Sequence, residues 1–459
     1  MANVLYFTPF ALYLGAVVFV TLTTRSTSED SDYFFASKQL GTFRALLSVV
    51  SSETSVATTV VFPAAGLTGG YTLVWLLLGY IVGRTVVAMF YLRALYVSSR
   101  LTIYQTMSGH HQILEGAYLL AKYISGGARF FIGGYALHQL LGWRTEFWVL
   151  VVAVCVAGYS LTGGLRAVVV MDQIQSGLPV FTGIFLCFYL WWLVPHDAIQ
   201  APALFDWDVD KSTFTPVMFL GGVVLSIGSH GADQDMLLRI LSTKSFNDAR
   251  RSLVLSGFVA AGLISLFLTI GFLLQFAGVG DLNAKSPLAD YVEKSNVPLL
   301  KGVFLVLLAA AAMSSLDSTI HSTGAIWKSL MNSKLAGRYW SSLSLFIMIA
   351  FAITFSVIDA QERHKDFLAL CMGSMNYVNA GLIGIFTVFT FFPRRLSFPG
   401  VVAALLAGFT VTAVCEWAFA APLPWTRTVL LASAAAFLSC YGMGWVAPPK
   451  PRQEPTPPN

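Results

Sequence analysis

The chain has 459 residues, of which 56% are hydrophobic, 14% aromatic and only 11% charged, and its mean hydropathy is +0.70. Soluble domains carry roughly 25% charged residues, so a chain this long and this apolar cannot cover a water-facing surface; an ordinary cytoplasmic enzyme and a disordered protein are excluded. The net charge of +5 comes without a basic cluster able to follow a phosphate backbone, which excludes a nucleic-acid binder and leaves a membrane-embedded protein.

A membrane-crossing helix needs about 20 apolar residues. In chain order the qualifying runs are 4–23, 43–66, 70–97, 113–141, 145–161, 166–194, 214–231, 250–277, 297–327, 339–358, 366–392, 397–420 and 424–446, thirteen in all. The first has no positive leader and no small-residue cleavage site, so it reads as a retained span. Cys155, Cys187, Cys371, Cys415 and Cys440 each fall inside an apolar run, as small packing residues do. With the N-terminus outside, 17 of the 28 Lys and Arg lie in inner loops or at inner membrane ends, among them Arg93, Arg100, Arg166, Arg239, Lys244, Arg250, Arg251, Arg394 and Arg395. Eight lie outside, and Arg84, Lys122 and Arg129 fall within spans. This bias predicts an N-outside, C-inside orientation. The long outer loop 195–213 is acidic, and the Pro-rich tail 447–459 is expected to be disordered. Residues 1–446 are read as a single transmembrane domain.

Charges inside a bilayer are costly and usually functional. The second run contains Ser51-Ser52-Glu53-Thr54-Ser55-Val56-Ala57-Thr58-Thr59, then Pro63 and Gly66. Ser, Thr and β-branched residues form helices poorly and divert backbone hydrogen bonds. A helix broken here frees carbonyls for a cation and turns half-helix ends toward a solute; the alternative is a continuous helix whose hydroxyls bond their own i−4 carbonyls. Near mid-membrane in the fourth run stands Arg129, which keeps its proton and either pairs with an acid such as Glu53 or Asp172 or awaits an anion, a carboxylate suiting its fork. Arg84, nearer the inner side, reads as structural or snorkelling.

The sixth run opens on Gly158-Tyr159-Ser160-Leu161-Thr162-Gly163-Gly164-Leu165-Arg166 and continues to Asp172 and Gln175. Gly163-Gly164 predict a tight inner turn, and Asp172 lies about two turns into the next helix, deep enough to need a partner. After the seventh run, Gly231-Ala232-Asp233-Gln234-Asp235 leads to Arg239, with Gly221, Gly222, Ser226 and Gly228 before it; these small residues suit a second interrupted helix. In the ninth run, Ala311, Ser314, Ser315, Ser318 and Ser322 share one helical face. Hydroxyl and carbonyl oxygens suit a hard, weakly dehydrated ion such as Na⁺, although a small-residue packing face is the other reading. Asp317 beside that face needs a cation, a proton or a basic partner. The seven histidines are scattered and show no metal spacing, and no nucleophile–base set points to an enzyme.

Together these segments resemble the sodium/solute symporter family, which includes sodium-coupled carriers of sugars, proline, sialic acid and monocarboxylates. Gly158 to Gln175 is similar to the family's Y-T-x-x-G-G-x-x-A-V-x-x-T-D-x-x-Q signature, with Ser160 in place of its Thr and Met171 in place of the Thr before Asp172. Gly231 to Arg239 resembles its D-Q-x-x-x-R element, Glu53-Thr54-Ser55 with Pro63 its first core helix, and Ser314-Ser315-Leu316-Asp317-Ser318 its sodium-binding helix. The resemblance implies an all-α polytopic membrane protein with a LeuT-type fold of about 13 transmembrane helices. Inverted five-helix repeats would occupy 43–194 and 214–392, flanked by a peripheral helix at 4–23 and two more at 397–446.

The same resemblance implies a main sodium site formed by the carbonyls of Ser51, Thr54 and Ala311 and the hydroxyls of Ser314 and Ser315. A second cation site, as in the sialic acid carriers, would match Asp172, Ser314, Asp317 and Ser318. Asp317 stands where that pattern has a hydroxyl, and two carboxylates sharing a site oppose each other's ionisation unless a cation sits between them, so the second ion is Na⁺, a proton or absent. Arg129 would hold a substrate carboxylate, with Ser55, Thr58 and Glu53 nearby. The third run, Tyr71-Thr72-Leu73-Val74-Trp75-Leu76-Leu77-Leu78-Gly79, is mostly apolar, against the polar residues that neutral-sugar carriers place there. The expected protein is a Na⁺-coupled importer of a small organic solute, carboxylate-bearing, working as a monomer in a bacterial inner membrane. The alternatives are a neutral sugar or polyol carrier with a structural Arg129, and a sodium-responsive sensor, which would need a separate signalling partner because the chain ends at Asn459.

Overall fold

Among the described residues, the thirteen apolar runs fall mostly on helix in the computed structural model, which describes residues 2–26, 29–69, 71–98, 100–107, 110–277, 286–360, 367–418 and 423–446. The tail expected to be disordered, 447–459, lies outside the described residues, as does the side chain of Cys371. The helices are α1 (Ala2–Thr23), α2 (Asp30–Phe35), α3 (Thr42–Glu53), α4 (Val56–Gly69), α5 (Val74–Val86), α6 (Leu92–Ser98), α7 (His111–Leu141) and α8 (Thr145–Leu193). They continue as α9 (Thr215–Gly231), α10 (Gln234–Leu241), α11 (Phe246–Leu274), α12 (Pro287–Lys294), α13 (Pro298–Leu330), α14 (Gly337–Ala360), α15 (Phe367–Phe391), α16 (Phe398–Trp417) and α17 (Trp425–Val446). Among the described residues, 8 helices are long and apolar enough to cross a membrane, or 10 if each of two bent pairs is one span. The outward surface agrees: Phe181, Phe188, Trp192 and Trp417 are each more than 70% exposed, a face that only lipid covers without cost.

Three interruptions shape the fold. The first pair, Thr42–Glu53 and Thr58–Thr68, is bent by 66°. Thr54 leaves helical geometry at φ −81°, ψ 80°, and its hydroxyl turns back onto the Val50 carbonyl at 2.8 Å, the diversion expected of this Ser/Thr run. The second pair, α9 and α10, is bent by 62°. There Asp233 caps α10 by accepting from the Asp235 amide at 2.9 Å, satisfying one of the orphan donors of a helix start. The third lies within α8, whose 49 residues would run about 74 Å if straight, more than two bilayer cores. Gly164, at φ 59° and ψ −157°, breaks it. A Cβ there would stand 2.7 Å from the Tyr33 carbonyl of α2, so both the backbone angle and the neighbour require glycine. This is the turn the paired glycines predict.

The helix at the centre is α13, with 83% of its most apolar stretch buried, whereas α1 has 17% and lies at the edge, as expected for 4–23. The helices α5 and α9 touch backbone to backbone: a Cβ at Gly79 would fall on the Phe219 carbonyl, and one at Gly222 on the Leu76 carbonyl. Without a hydrophobic drive between helices in lipid, such close approach supplies the packing energy. Gly222→Ala is expected to cost roughly 1–3 kcal/mol through overpacking and to lower the thermal unfolding midpoint in detergent. Gly262, with nothing within 4 Å of its Cβ position, serves as the control: Gly262→Ala leaves the midpoint unchanged or raises it.

Candidate ion and solute site

The break between α3 and α4 faces the middle of α13. Ser51, Thr54, Ala311, Ser314 and Ser315 are all buried, at 5% exposure or less. Ser314 Oγ reaches across to the Thr54 carbonyl at 3.4 Å and lies 3.3 Å from the Ala311 carbonyl, while Ser315 Oγ makes only 3.5 Å contacts with the carbonyls of Ala311 and Ala312. Hydrogen bonds this long are weak, so these hydroxyls are available to a ligand without losing a strong partner. Neutral carbonyl and hydroxyl oxygens converging in a dry place are the chemistry a sodium ion requires, and this residue set fits one. Thr58 closes the far side of the break, its hydroxyl on the Glu53 carbonyl at 3.2 Å and its amide on the Ser55 carbonyl at 2.8 Å.

Glu53 is engaged elsewhere than toward a solute. Arg84 Nη2, from α5, donates to both of its oxygens at 2.5 and 2.6 Å, and Nη1 donates to Ser256 Oγ of α11 at 3.0 Å. His230 Nε2, at the end of α9, lies 2.7 Å from Glu53 Oε1. Arg84 is 1% exposed, so it is a buried partner and does not snorkel. Glu53 thereby ties the first broken helix to the helix that leads into the second.

A second cluster joins four helices. Arg239, on α10, is 1% exposed, and its Nη2 donates to Asp172 Oδ2 of α8 at 3.1 Å and to Ser318 Oγ of α13 at 2.5 Å. The same atom is 3.7 Å from Asp317 Oδ1, and Nε donates to Ser48 Oγ of α3 at 2.7 Å. Tyr159 and Ser318 complete Asp317 at 2.7 and 3.1 Å. Ser48 donates to Asp172 Oδ2 at 2.5 Å. Ser51 Oγ lies beside the Asp172 carboxyl, and neither it nor Asp172 Oδ1 is otherwise engaged. The basic tally along the chain counts Arg239 at the inner membrane end; the bend before α10 instead carries it into the core. One turn earlier, Asp235 and Asp233 share Lys122 of α7 at 3.0 and 2.7 Å, and Tyr118, Thr319 and Ser322 donate to Asp235 as well.

The residues read from the sequence for sodium are thus brought together, and so are Asp172, Asp317 and Ser318. Arg129 has two candidate acids in the sequence, Glu53 and Asp172, which pair with Arg84 and with Arg239. It is half-buried on α7, one turn before Gly133, whose Cβ position lies 2.8 Å from Ala312 of α13. Sequence reading passed over Ser48, Tyr159, His230 and the Lys122 cluster.

Removing one member of a buried ion pair costs roughly 3–5 kcal/mol because the other charge is stranded, whereas removing both is far milder. Arg84→Gln is therefore expected to lower the thermal midpoint sharply, and Arg84→Gln with Glu53→Gln to recover most of the loss. Simple additivity of the two single losses would show that the pair is not coupled.

The family model described as the sodium:solute symporter family matches residues 33–408. A sodium/glucose cotransporter of Vibrio parahaemolyticus is 26% identical over 360 residues, covering 69% of this chain and 66% of that one. The high-affinity proline transporter PutP of Bacillus subtilis is 23% identical, covering 91% and 93%. Among solved structures, a substrate-bound, outward-open Na⁺-coupled sialic acid symporter superposes with a TM-score of 0.79 at 16% identity, covering 98% of each chain, a likeness of fold.

Proposed function

Because the chain belongs to the sodium:solute symporter family, with sodium as its coupling ion, we propose that it imports a small carboxylate-bearing solute together with Na⁺ by alternating access across a bacterial inner membrane. The observation that supports this reading is the meeting of Ser314 Oγ with the Thr54 carbonyl, at 3.4 Å, where the first core helix breaks. In this reading Na⁺ is held by the carbonyls of Ser51, Thr54 and Ala311 and by the hydroxyls of Ser314 and Ser315. These groups come from two separate elements, α3 and α13, so the ion binds best when the two are held together. The solute binds beside the break, its carboxylate on Arg129 and its polar groups on Ser55 and Thr58. Glu53 acts through Arg84 and His230 as a positioning residue. Each ligand raises the other's affinity by the same factor, and an entering Na⁺ contributes about 2.3 kcal/mol per 100 mV of membrane potential. The functional unit is the monomer, and the two five-helix groups, 43–194 and 214–392, are the inverted repeats that rock against each other. The break near the start of each group, at 54–55 and at 232–233, favours that division.

The neutral-solute reading has its own support in the glucose-carrying relative, and the relatives together span glucose and proline. Thermal shift of the purified protein, with and without Na⁺, across sialic acids, monocarboxylates, amino acids and neutral sugars separates the two. An acid that stabilises only when Na⁺ is present is the expected result, and Arg129→Ala abolishes that response. Stabilisation by a neutral sugar that survives Arg129→Ala would falsify the carboxylate reading. Ser314→Ala and Ser315→Ala are each expected to weaken the sodium response about tenfold, equivalent to roughly 1.4 kcal/mol.

A further inference from the structure

We infer that the second cation of this transporter is not a sodium ion but the guanidinium of Arg239, so that one Na⁺ binds per chain. The inference rests on the sodium-symport reading above and fixes its stoichiometry. Of the four groups expected to hold a second ion, three surround a single atom. Arg239 Nη2 is 2.5 Å from Ser318 Oγ, 3.1 Å from Asp172 Oδ2 and 3.7 Å from Asp317 Oδ1. The fourth, Ser314, is one turn from Ser318, whose hydroxyl bonds the Ser314 carbonyl at 3.1 Å. A sodium ion at that place would meet a nitrogen-borne positive charge where it needs oxygen.

The residue types agree with the geometry. A second carboxyl at 317 sets two acids against one guanidinium, whose Nη2 donates to Asp172 at 3.1 Å and lies 3.7 Å from Asp317. Asp317 Oδ2, which Arg239 does not reach, accepts from Tyr159 at 2.7 Å, and Asp172 Oδ2 accepts from Ser48 as well as from Arg239. Arg239 is itself oriented by Ser48 Oγ at 2.7 Å and by the Asp235 carbonyl at 3.2 Å. A single sodium then sits on the neighbouring oxygens of Ser51, Thr54, Ala311, Ser314 and Ser315. Arg239 also rides on α10, beyond the 62° bend. This cation is therefore tethered to a half-helix and is never released to the cytoplasm.

Equilibrium binding of radioactive ²²Na⁺ to the purified full-length protein counts the sites without knowledge of the solute. One ion per chain with a Hill coefficient near 1 is expected. Two ions per chain overturn the inference while leaving sodium coupling intact; no saturable binding overturns the sodium site as well. Arg239→Gln combined with Asp317→Ser removes the guanidinium and the extra carboxylate together, which limits the folding damage and leaves Asp172 among hydroxyls. That variant, verified as monodisperse, is expected to bind two ions. If it still binds one, the guanidinium was not what kept the second ion out.

Discussion

Asp172 and Asp317 lie in the part of the protein least able to solvate them, and the way they are neutralised organises everything around them. A buried carboxylate without a partner is costly enough to unfold a helix bundle locally. Arg239 meets both with one guanidinium, and Ser48, Ser318 and Tyr159 fill the remaining geometry. Because these residues come from α3, α8, α10 and α13, the cluster clamps the two broken helices to the helix at the centre of the molecule. The position of α10, and therefore the bend before it, follows from where Arg239 must go.

The neighbouring oxygens work by the opposite principle. At the α3–α4 break the groups are neutral, and the hydroxyls of Ser314 and Ser315 are held only by contacts of 3.3 to 3.5 Å. The charged cluster is held by hydrogen bonds of 2.5 to 3.1 Å, while the neutral one is left weakly bonded. A small cation gains where hydrogen bonds are poor, and a site joining two separately packed elements makes its occupancy sensitive to how those elements sit. In the proposed reading, sodium binding at this break and conformational change become one event, which is what coupled transport requires.

Two further ion networks surround this centre. Glu53, Arg84 and His230 connect α3, α5 and α9, and Lys122 with Asp233 and Asp235 connects α7 to the start of α10. The first fastens both broken helices to each other, and the second fastens α10 from another side. Close backbone contact at Gly79 and Gly222 draws α5 and α9 together, which places Arg84 and His230 on the same carboxylate. Packing by small residues and pairing of charges thus depend on each other.

The apolar runs, the break in the Ser/Thr-rich second run, the turn at Gly163-Gly164 and the hydroxyl face of α13 are all legible along the chain, because each arises from local propensity and spacing. So is the family resemblance, whose motifs are local strings. Which charges meet is another matter. Arg239 counted along the chain as an inner-end basic residue, Lys122 merely as an intramembrane one, and Glu53 as a neighbour of the solute. Their partners lie far away in sequence: Arg239 reaches Asp172 across 67 residues and Ser48 across 191. Hydropathy and propensity act over a few turns of helix, whereas an ion pair is selected by where bent helices carry their side chains, and only the packed tertiary structure decides that.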